Sequence, residues 1–449
     1  MTGRAAKRLR SLAPGLVLRL VLGVALAGSG LAGWVLWVNR PGPLPPAPPA
    51  RPTAELQARG AYLARVGNCA GCHTAPGGAP LAGGRAIPTP FGAVYSGNLT
   101  PDAATGLGRW TADDFWRALH EGRSRDGRLL SPAFPYTSYT LLSRADSDAL
   151  FSHLQSQPAV HQPPRPQTLP WPYGSAWALA AWRALFFRPA SFEPDPRQDA
   201  AWNRGAYLTQ GVAHCNACHS SRNALGGPQA RDRFDGSLLR GLGWEAPSLH
   251  RPAEAGMQDW TMAEAAAWLR QGVSERGVAQ GPMAEVIVGS TRHLSEADAE
   301  AMARYLRALP TEGAPHETPA KASPLSPARP PDTAPGQALL GARLYETHCQ
   351  ACHGAGGEGR PGVYPPLKGS RVVLQPSAIN LVRIVQQGGF APATPQHPRP
   401  FGMPPFAGTF NAEQLAALLS HVRTSWGQPG GALSARQVQS LTNDTGINP

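Results

Sequence analysis

All six cysteines of this 449-residue chain fall in three copies of one short pattern, C-x-x-C-H. The copies are Cys69-Ala-Gly-Cys72-His73, Cys215-Asn-Ala-Cys218-His219 and Cys349-Gln-Ala-Cys352-His353. C-x-x-C-H is the attachment signature of c-type haem: two thiols add to the two vinyl groups of one porphyrin, and the histidine lies under the iron. The pattern therefore predicts three covalently bound haem c groups, with His73, His219 and His353 as the proximal iron ligands.

A single C-x-x-C pair could instead hold zinc or act as a redox dithiol. Three copies, each with a histidine directly after the second cysteine and with no cysteine left over, favour haem. Covalent haem attachment also needs reduced thiols and an exported polypeptide, which makes the N-terminus the next feature to consider.

Four basic residues between Arg4 and Arg10 precede a charge-free stretch from Leu20 to Val38. At about 1.5 Å per residue such a helix is about 28 Å long, enough for the hydrocarbon core of a bilayer. A cleaved signal peptide is the alternative, since Ala25-Leu26-Ala27 loosely fits a cleavage site, but the apolar run continues to Trp37. We expect an uncleaved anchor in residues 1–40, with the rest of the chain on the periplasmic side of the bacterial inner membrane.

The sequence around the motifs repeats three times. Similar segments precede the motifs: Arg59-Gly-Ala-Tyr62-Leu63, Arg204-Gly-Ala-Tyr207-Leu208 and Gly341-Ala-Arg-Leu-Tyr345. A middle helix is expected after Thr111 and Thr261, two N-cap candidates, with stops at Gly122, Gly272 and Gly388. A last helix recurs in each repeat with apolar residues at helical spacing. The prediction is a mainly α fold of three tandem class I cytochrome c-like helical domains plus the N-terminal transmembrane helix.

The expected division of the chain follows from these repeats and from composition. Its parts are the anchor 1–40, a Pro-rich spacer 41–54, domain one 55–165, a linker 166–195, domain two 196–312, a Pro/Ala-rich linker 313–334, domain three 335–430 and a C-terminal tail 431–449. The linker 166–195 contains a stretch rich in Trp, Ala and Leu, from Trp171 to Phe187. We expect this stretch to pack between repeats, and contact with lipid is the alternative.

Electron-transfer haems usually take a methionine thioether as the sixth ligand. Met283 in Gly281-Pro282-Met283-Ala284 and Met403 in Phe401-Gly-Met403-Pro404 lie between the middle and last helices of their repeats, on expected loops. In repeat one Phe134 occupies the same slot and cannot ligate iron. The first iron is therefore expected to be five-coordinate, or ligated by His120 from a solvent-facing helix end or by an unseen group. His153 looks like a packing position.

Charge and motifs exclude other classes of function. The formal charge of +12 suggests nucleic acid or a membrane surface, but basic residues are scattered and no nucleic-acid motif is present. The sequence has no hydrolase triad, phosphate loop, dinucleotide fingerprint or flavin motif. We therefore predict no nucleic-acid partner and no catalytic residues, and expect an electron-transfer subunit of an oxidoreductase.

The chain resembles the triheme cytochrome c subunits of membrane-bound periplasmic dehydrogenases acting on alcohols, gluconate or aldehydes. The resemblance covers about residues 55–430 and is most specific in Ser96–Trp110, Pro132–Tyr136 and Arg204–Cys215. It implies that electrons come from a separate flavin, quinoprotein or molybdenum subunit and pass to membrane ubiquinone or a terminal oxidase. It also implies that Met283 and Met403 are distal ligands, whereas Phe134 departs from the methionine of many relatives.

Two other functions remain open from the sequence. One is a haem enzyme that uses an open first iron, such as a peroxidase-like activity. The other is a cytochrome c subunit of a terminal oxidase.

Overall fold

The computed structural model describes residues 14–45, 53–229, 233–311 and 335–443. The basic residues between Arg4 and Arg10, half of the Pro-rich spacer 41–54 and all of the linker 313–334 lie outside the described residues. Within the described ranges the chain is mainly helical.

The helices differ widely in length, and several are single turns. They are α1 (Pro14–Val38), α2 (Ala54–Val66), α3 (Cys69–His73), α4 (Ala112–Glu121), α5 (Tyr136–Tyr139), α6 (Arg144–Gln155), α7 (Ala176–Phe186), α8 (Ala200–Tyr207), α9 (Asn216–His219), α10 (Met262–Gln271), α11 (Gly281–Gly289), α12 (Glu296–Arg307), α13 (Pro335–His348), α14 (Gln350–His353), α15 (Arg371–Leu374), α16 (Ile379–Gln387), α17 (Ala412–Thr424) and α18 (Ala435–Asn443). A π-helical turn, Leu208–Val212, continues α8, and 3₁₀ turns cover Thr291–His293 and Ser425–Gly427.

The strands form small antiparallel pairs, each of two neighbouring strands. They are β1 (Ala86–Thr89) with β2 (Gly92–Tyr95), β3 (Ser237–Leu239) with β4 (Trp244–Ala246), β5 (Val273–Ser274) with β6 (Gly277–Val278), and β7 (Gly389–Phe390) with β8 (Gly402–Met403). In the last pair Gly389 is opposite Met403.

Helix α1 stands apart from the rest of the fold by its composition. Its segment Leu18–Val38 has 21 residues with a mean hydropathy of 1.8, and 6% of it is buried. In the part of the chain that the structure describes, it is the one helix with the length and composition to cross a membrane.

Three pairs of helices cross in the same way: α2 on α6, α8 on α12 and α13 on α17. At each crossing a glycine lies against a backbone carbonyl of the partner helix, and a Cβ atom there would collide with the carbonyl oxygen. The pairs, with the distance that such a Cβ would have to the oxygen, are Gly60 and Ala149 (1.9 Å), Gly205 and Ala301 (1.9 Å), and Gly341 and Ala417 (2.2 Å). A C-x-x-C-H segment follows the first helix of each pair, so the three motifs sit in equivalent surroundings.

The middle helices begin and end where the sequence indicated. Thr111 and Thr261 are N-caps of α4 and α10, and each forms a reciprocal capping box with an acidic residue three positions later. Gly122 and Gly272 end these helices in the left-handed conformation, with φ of 60° and 68°.

Among the residues that the structure describes, buried side chains form two separate cores. The first is shared by repeats one and two and includes Leu63, Leu208 and Met302, whereas the second belongs to repeat three. The segment 431–449, expected to be a tail, contains α18, whose Val438 and Leu441 complete the second core. The linker 166–195 contains α7.

Repeats one and two exchange tyrosines across their interface. The Tyr62 hydroxyl donates to Asp298 at 2.6 Å, and the Tyr207 hydroxyl donates to Asp146 at 2.5 Å. Each carboxylate also pairs with the arginine of its own repeat, Arg204 at 2.8 Å for Asp298 and Arg59 at 2.5 Å for Asp146. This reciprocal tyrosine exchange relates the two repeats by a local pseudo-twofold arrangement.

Repeat three lacks the residues of this exchange and contacts repeat two differently. Arg343 and Gln414 stand at the positions of the tyrosine and the aspartate. Its contacts include instead the Arg371 guanidinium on Asp259 at 2.9 Å and a hydrogen bond from the Asn380 amide to the Glu245 carbonyl at 2.8 Å.

Candidate haem sites

The histidines of the three C-x-x-C-H motifs share one hydrogen-bond arrangement. Nδ1 of His73 lies 2.7 Å from the Gly97 carbonyl oxygen, that of His219 lies 2.8 Å from Pro247 O, and that of His353 lies 3.0 Å from Pro365 O. Because a carbonyl oxygen only accepts, Nδ1 carries the proton in each ring and the Nε2 lone pair remains available. A backbone carbonyl that fixes the tautomer and orientation of an imidazole is the usual support of a metal-ligating histidine.

Burial keeps these three imidazoles neutral. It lowers the pKa of His73, His219 and His353, and the hydrogen bond to the carbonyl oxygen opposes that shift in each case. The neutral form is the one that ligates iron, so both the protonation state and the tautomer suit a proximal ligand.

The first cysteine of each motif does not have the thiol pKa of a redox dithiol. Burial raises the pKa of Cys69 and Cys215 to about 12 and that of Cys349 to about 11. Catalytic dithiols have a lowered thiol pKa instead. In the described ranges, moreover, no group of three or more His, Cys, Asp or Glu side chains gathers as a metal site. The raised thiol pKa values thus disfavour the redox-dithiol alternative.

A large cavity of about 3130 Å³ joins the first two motifs. Cys69, Cys72 and His73 line it together with Cys218, and much of the remaining wall is apolar. An ordinary small-molecule pocket has about 300–1,000 Å³, so this cavity has room for more than one porphyrin. The donor set, the volume and the apolar lining fit haem at the first two motifs. The cavity lining identified in the described residues includes no residue of the third motif.

The first two attachment segments lie close enough to influence each other electrostatically. Burial raises the pKa of Cys218, Arg222 opposes that shift and the neighbouring Cys72 adds to it. Cys72 and Cys218 also line the same cavity, so the first two attachment segments face a common space.

His214 is a cavity residue to which the sequence analysis assigned no role. It is half-buried with a φ of 41°, its Nε2 lies 3.3 Å from the Gly67 carbonyl oxygen, and its ring meets Tyr139 edge-on at 5.4 Å. The sequence feature that could have indicated His214 is its position directly before Cys215. It is placed between the first two motifs.

Phe134 is the residue that was expected to take the place of a methionine ligand in repeat one. Its ring lines the cavity and packs at 5.4 Å from the Tyr139 ring. His120 does not reach this space: it is half-buried and stacks on Trp116 with ring centroids 4.4 Å apart. The expected solvent-facing position of His120 is wrong, because the last turn of α4 turns its ring onto a buried tryptophan.

His153 occupies the packing position that the repeat alignment indicated. The Cβ that Gly60 lacks would lie 2.8 Å from the His153 Cβ, and Tyr305 and His421 hold the same place at the other two crossings, each at 2.9 Å.

The two candidate distal methionines lie in regular structure rather than in loops. Met283 is in the first turn of α11, where Pro282 takes an N-terminal position, and Met403 ends β8 and packs against the second core. Helix α11 contacts α3, and Glu285 pairs with Arg85 at 3.1 Å. The helix of Met283 thus also supports the first attachment segment.

Comparison with known proteins gives consistent matches over most of the chain. The family model described as Cytochrome c matches residues 338–426. The chain is 34% identical over 405 residues to the alcohol dehydrogenase (quinone) cytochrome c subunit of Komagataeibacter europaeus, covering 88% of this chain and 85% of that one. It is 34% identical over 399 residues to the gluconate 2-dehydrogenase cytochrome c subunit of Pantoea cypripedii, covering 87% and 90%.

A third relative is longer. The chain is 39% identical over 407 residues to a nicotinate dehydrogenase subunit of Pseudomonas putida, covering 89% of this chain but 33% of that protein. The C-x-x-C-H motifs, the shared histidine geometry and these relatives agree, and the chain belongs to the family of cytochrome c subunits of dehydrogenases.

Proposed function

We propose that this chain is a membrane-anchored triheme c-type cytochrome that carries electrons from the catalytic subunit of a periplasmic dehydrogenase to ubiquinone or the terminal respiratory chain. The observation that carries the proposal is the threefold recurrence of one arrangement: a C-x-x-C-H segment whose histidine donates Nδ1–H to a backbone carbonyl. The three glycine-centred crossings support three tandem cytochrome c domains.

The residues of each site have distinct roles in this proposal. The cysteine pairs Cys69 and Cys72, Cys215 and Cys218, and Cys349 and Cys352 hold the porphyrins through thioether bonds. His73, His219 and His353 are the proximal ligands, and Met283 and Met403 are the distal ligands of the second and third sites. When bound, haem supplies the one-electron redox chemistry, which the protein tunes through ligands, hydrogen bonds and burial.

The arrangement of the sites supports electron transfer along the chain. Cys72 and Cys218 line the same cavity, which favours electron exchange between the first two sites. The Trp244 ring lies against Gly281, two residues before Met283, and packs on the second core, against which Met403 also packs. This side chain therefore connects the surroundings of the second and third sites.

Helix α1 is proposed as the membrane anchor, with the haem-binding repeats on the periplasmic side. The basic residues that precede its apolar segment favour a cytoplasmic N-terminus. The partner is a flavin, quinoprotein or molybdenum subunit, and this chain itself has no role toward the organic substrate. The relatives described above are dehydrogenase subunits, so the terminal-oxidase alternative has no comparable support.

Haem stoichiometry is the decisive test. Protein expressed in a host with cytochrome c maturation should contain three haems per chain by mass and pyridine haemochrome assay. A variant with Cys349→Ser and Cys352→Ser should contain two. Two or fewer haems in the unmodified chain would refute the triheme proposal.

The partner is tested by purification from the native membrane. A tagged chain should bring down a large flavin, quinoprotein or molybdenum subunit, and adding the substrate of that subunit should reduce the haems. Co-purification with a copper–haem oxidase and no dehydrogenase would contradict the proposal.

A further inference from the structure

The C-terminal end of α1 is fixed to the body of the protein through α7. The Asn39 amide donates to the Ala180 carbonyl at 3.0 Å, and Nε of Arg183 donates to the Asn39 side-chain oxygen at 2.8 Å. Arg183 also donates to the Glu121 carbonyl at 2.5 Å, and the Glu121 carboxylate accepts from Gly42 N at 3.1 Å. The position of α1 in a bilayer therefore sets the position of α7.

The exposed face of α7 is apolar. Trp177, Ala181 and Leu185 are spaced four residues apart on one face, and Trp177 and Leu185 are 64% and 59% exposed. The segment from Pro170 to Phe187 has one charged residue, Arg183, which is 5% exposed. A helix at the surface of a water-soluble protein has the opposite pattern, with its polar face outward.

Aromatic residues continue this surface on both sides. Just before α7, Trp171 is 88% exposed and Tyr173 is 43% exposed. On α1, Trp37 is 64% exposed and lies two residues before Asn39, the contact to α7. Tryptophan and tyrosine concentrate at the level of the lipid headgroups, so the two surfaces mark one common level.

We propose that α7 and Trp171 form a second membrane contact, lying in the boundary between lipid headgroups and acyl chains. The proposal rests on the membrane anchoring by α1 proposed above. Lipid is favoured as the occupant because the apolar face of α7 is continuous with the aromatic end of α1. Since Leu179 and Trp182 of the same helix line the large cavity, α7 is then the wall between that cavity and the lipid.

The test separates α7 from α1 after the protein has folded. Residues 46–52 are replaced by a protease recognition sequence in the full-length chain, and the haem-loaded protein is purified, cleaved and freed of its α1 fragment. The released body is then mixed with vesicles of phosphatidylethanolamine and phosphatidylglycerol and sedimented. The body should bind, and a Trp171→Ser, Trp177→Gln, Leu185→Gln variant should bind about tenfold less or weaker still.

The matched control changes apolar residues that are equally exposed elsewhere. Leu339 and Phe390 of repeat three are 55% and 71% exposed, and Leu339→Gln with Phe390→Ser should leave vesicle binding unchanged. The haem absorbance spectrum of every variant reports whether the body remains folded.

Two results overturn the proposal: a released body that does not bind vesicles, or a control that loses as much binding as the α7 variant. If α7 is instead covered by a dehydrogenase subunit, the body binds no vesicles and the α7 variant loses that subunit on purification. Failure of α1 as an anchor is distinguished from these results, because alkaline carbonate, which removes interfacial contacts but not spanning helices, then releases the uncut chain from membranes.

Discussion

The reciprocal tyrosine exchange predicts a specific ranking of two conservative substitutions. Tyr62→Phe removes the hydroxyl that donates to Asp298, and Tyr207→Phe removes the one that donates to Asp146. Hydrogen bonds to charged groups contribute about 1.5–3 kcal/mol, and the loss is larger where the carboxylate has less access to water. The Asp298 side chain is 12% exposed and that of Asp146 is 2% exposed. We therefore expect Tyr207→Phe to cost about 2–3 kcal/mol and Tyr62→Phe about 1.5–2 kcal/mol.

The assay is denaturant unfolding of the haem-loaded protein, followed by haem absorbance and by tryptophan fluorescence. The free energy of unfolding of repeats one and two is compared between variants whose unfolding free energy has the same slope against denaturant concentration. Tyr364→Phe is the control, since Tyr364 packs against Phe401 in repeat three, away from this interface. Losses below about 0.5 kcal/mol, within the range of neutral surface substitutions, or a reversed ranking of the two variants would refute the reasoning.

Three further predictions concern the first iron, acid stability and the helix crossings. If no thioether ligates the first iron, reduced protein should bind carbon monoxide at one haem in three. Phe134→Met should abolish that binding and raise the reduction potential of the first haem. Resonance Raman spectra showing three Met-ligated haems in the unmodified protein would contradict this prediction. Burial acts to raise the pKa of Asp298, but hydrogen bonds from Arg204 and Tyr62 hold this pKa below its usual value of 3.8. The stability that the carboxylate provides is thus present above that value and lost as the pH falls through the lower folded-state pKa. Asp298→Asn should reduce the loss of unfolding free energy at acid pH, measured by unfolding at a series of pH values. An unchanged loss would show that Asp298 does not contribute to it. Gly341→Ala should cost about 1–3 kcal/mol in thermal or denaturant unfolding through collision with the carbonyl of the facing helix, whereas Gly336→Ala in the same helix, with open space around it, should cost nothing.

Local signals in the sequence predicted much of the fold. Thr111 and Thr261 cap their helices, and Gly122 and Gly272 end them, because capping depends on residues within one turn. The same reasoning missed α11, although Pro in the first turn of a helix is a favourable start and Gly281-Pro282 offered that signal.

Features that depend on distant contacts could not be predicted. Helix α18 is short, and its stability comes from packing Val438 and Leu441 into the second core rather than from local propensity. The exchange between Tyr62 and Asp298 joins residues 236 positions apart. The sequence did contain a trace of it, since Arg-Gly-Ala-Tyr occurs in repeats one and two but not in repeat three.

The exchange also bears on the order in which the chain can mature. Each of the first two repeats completes its buried carboxylate only with a tyrosine from the other, and the two share one core. If the repeats are exported from the N-terminus, as the periplasmic location proposed above requires, repeat one lacks its contacts to repeat two until repeat two has crossed the membrane. Its C-x-x-C-H segment would then stay open to the haem-attachment machinery during that interval. Repeat three has its own core and no such exchange, so its folding does not depend on this interface. A stalled export intermediate that ends before Asp298 should thus contain an incompletely folded first repeat.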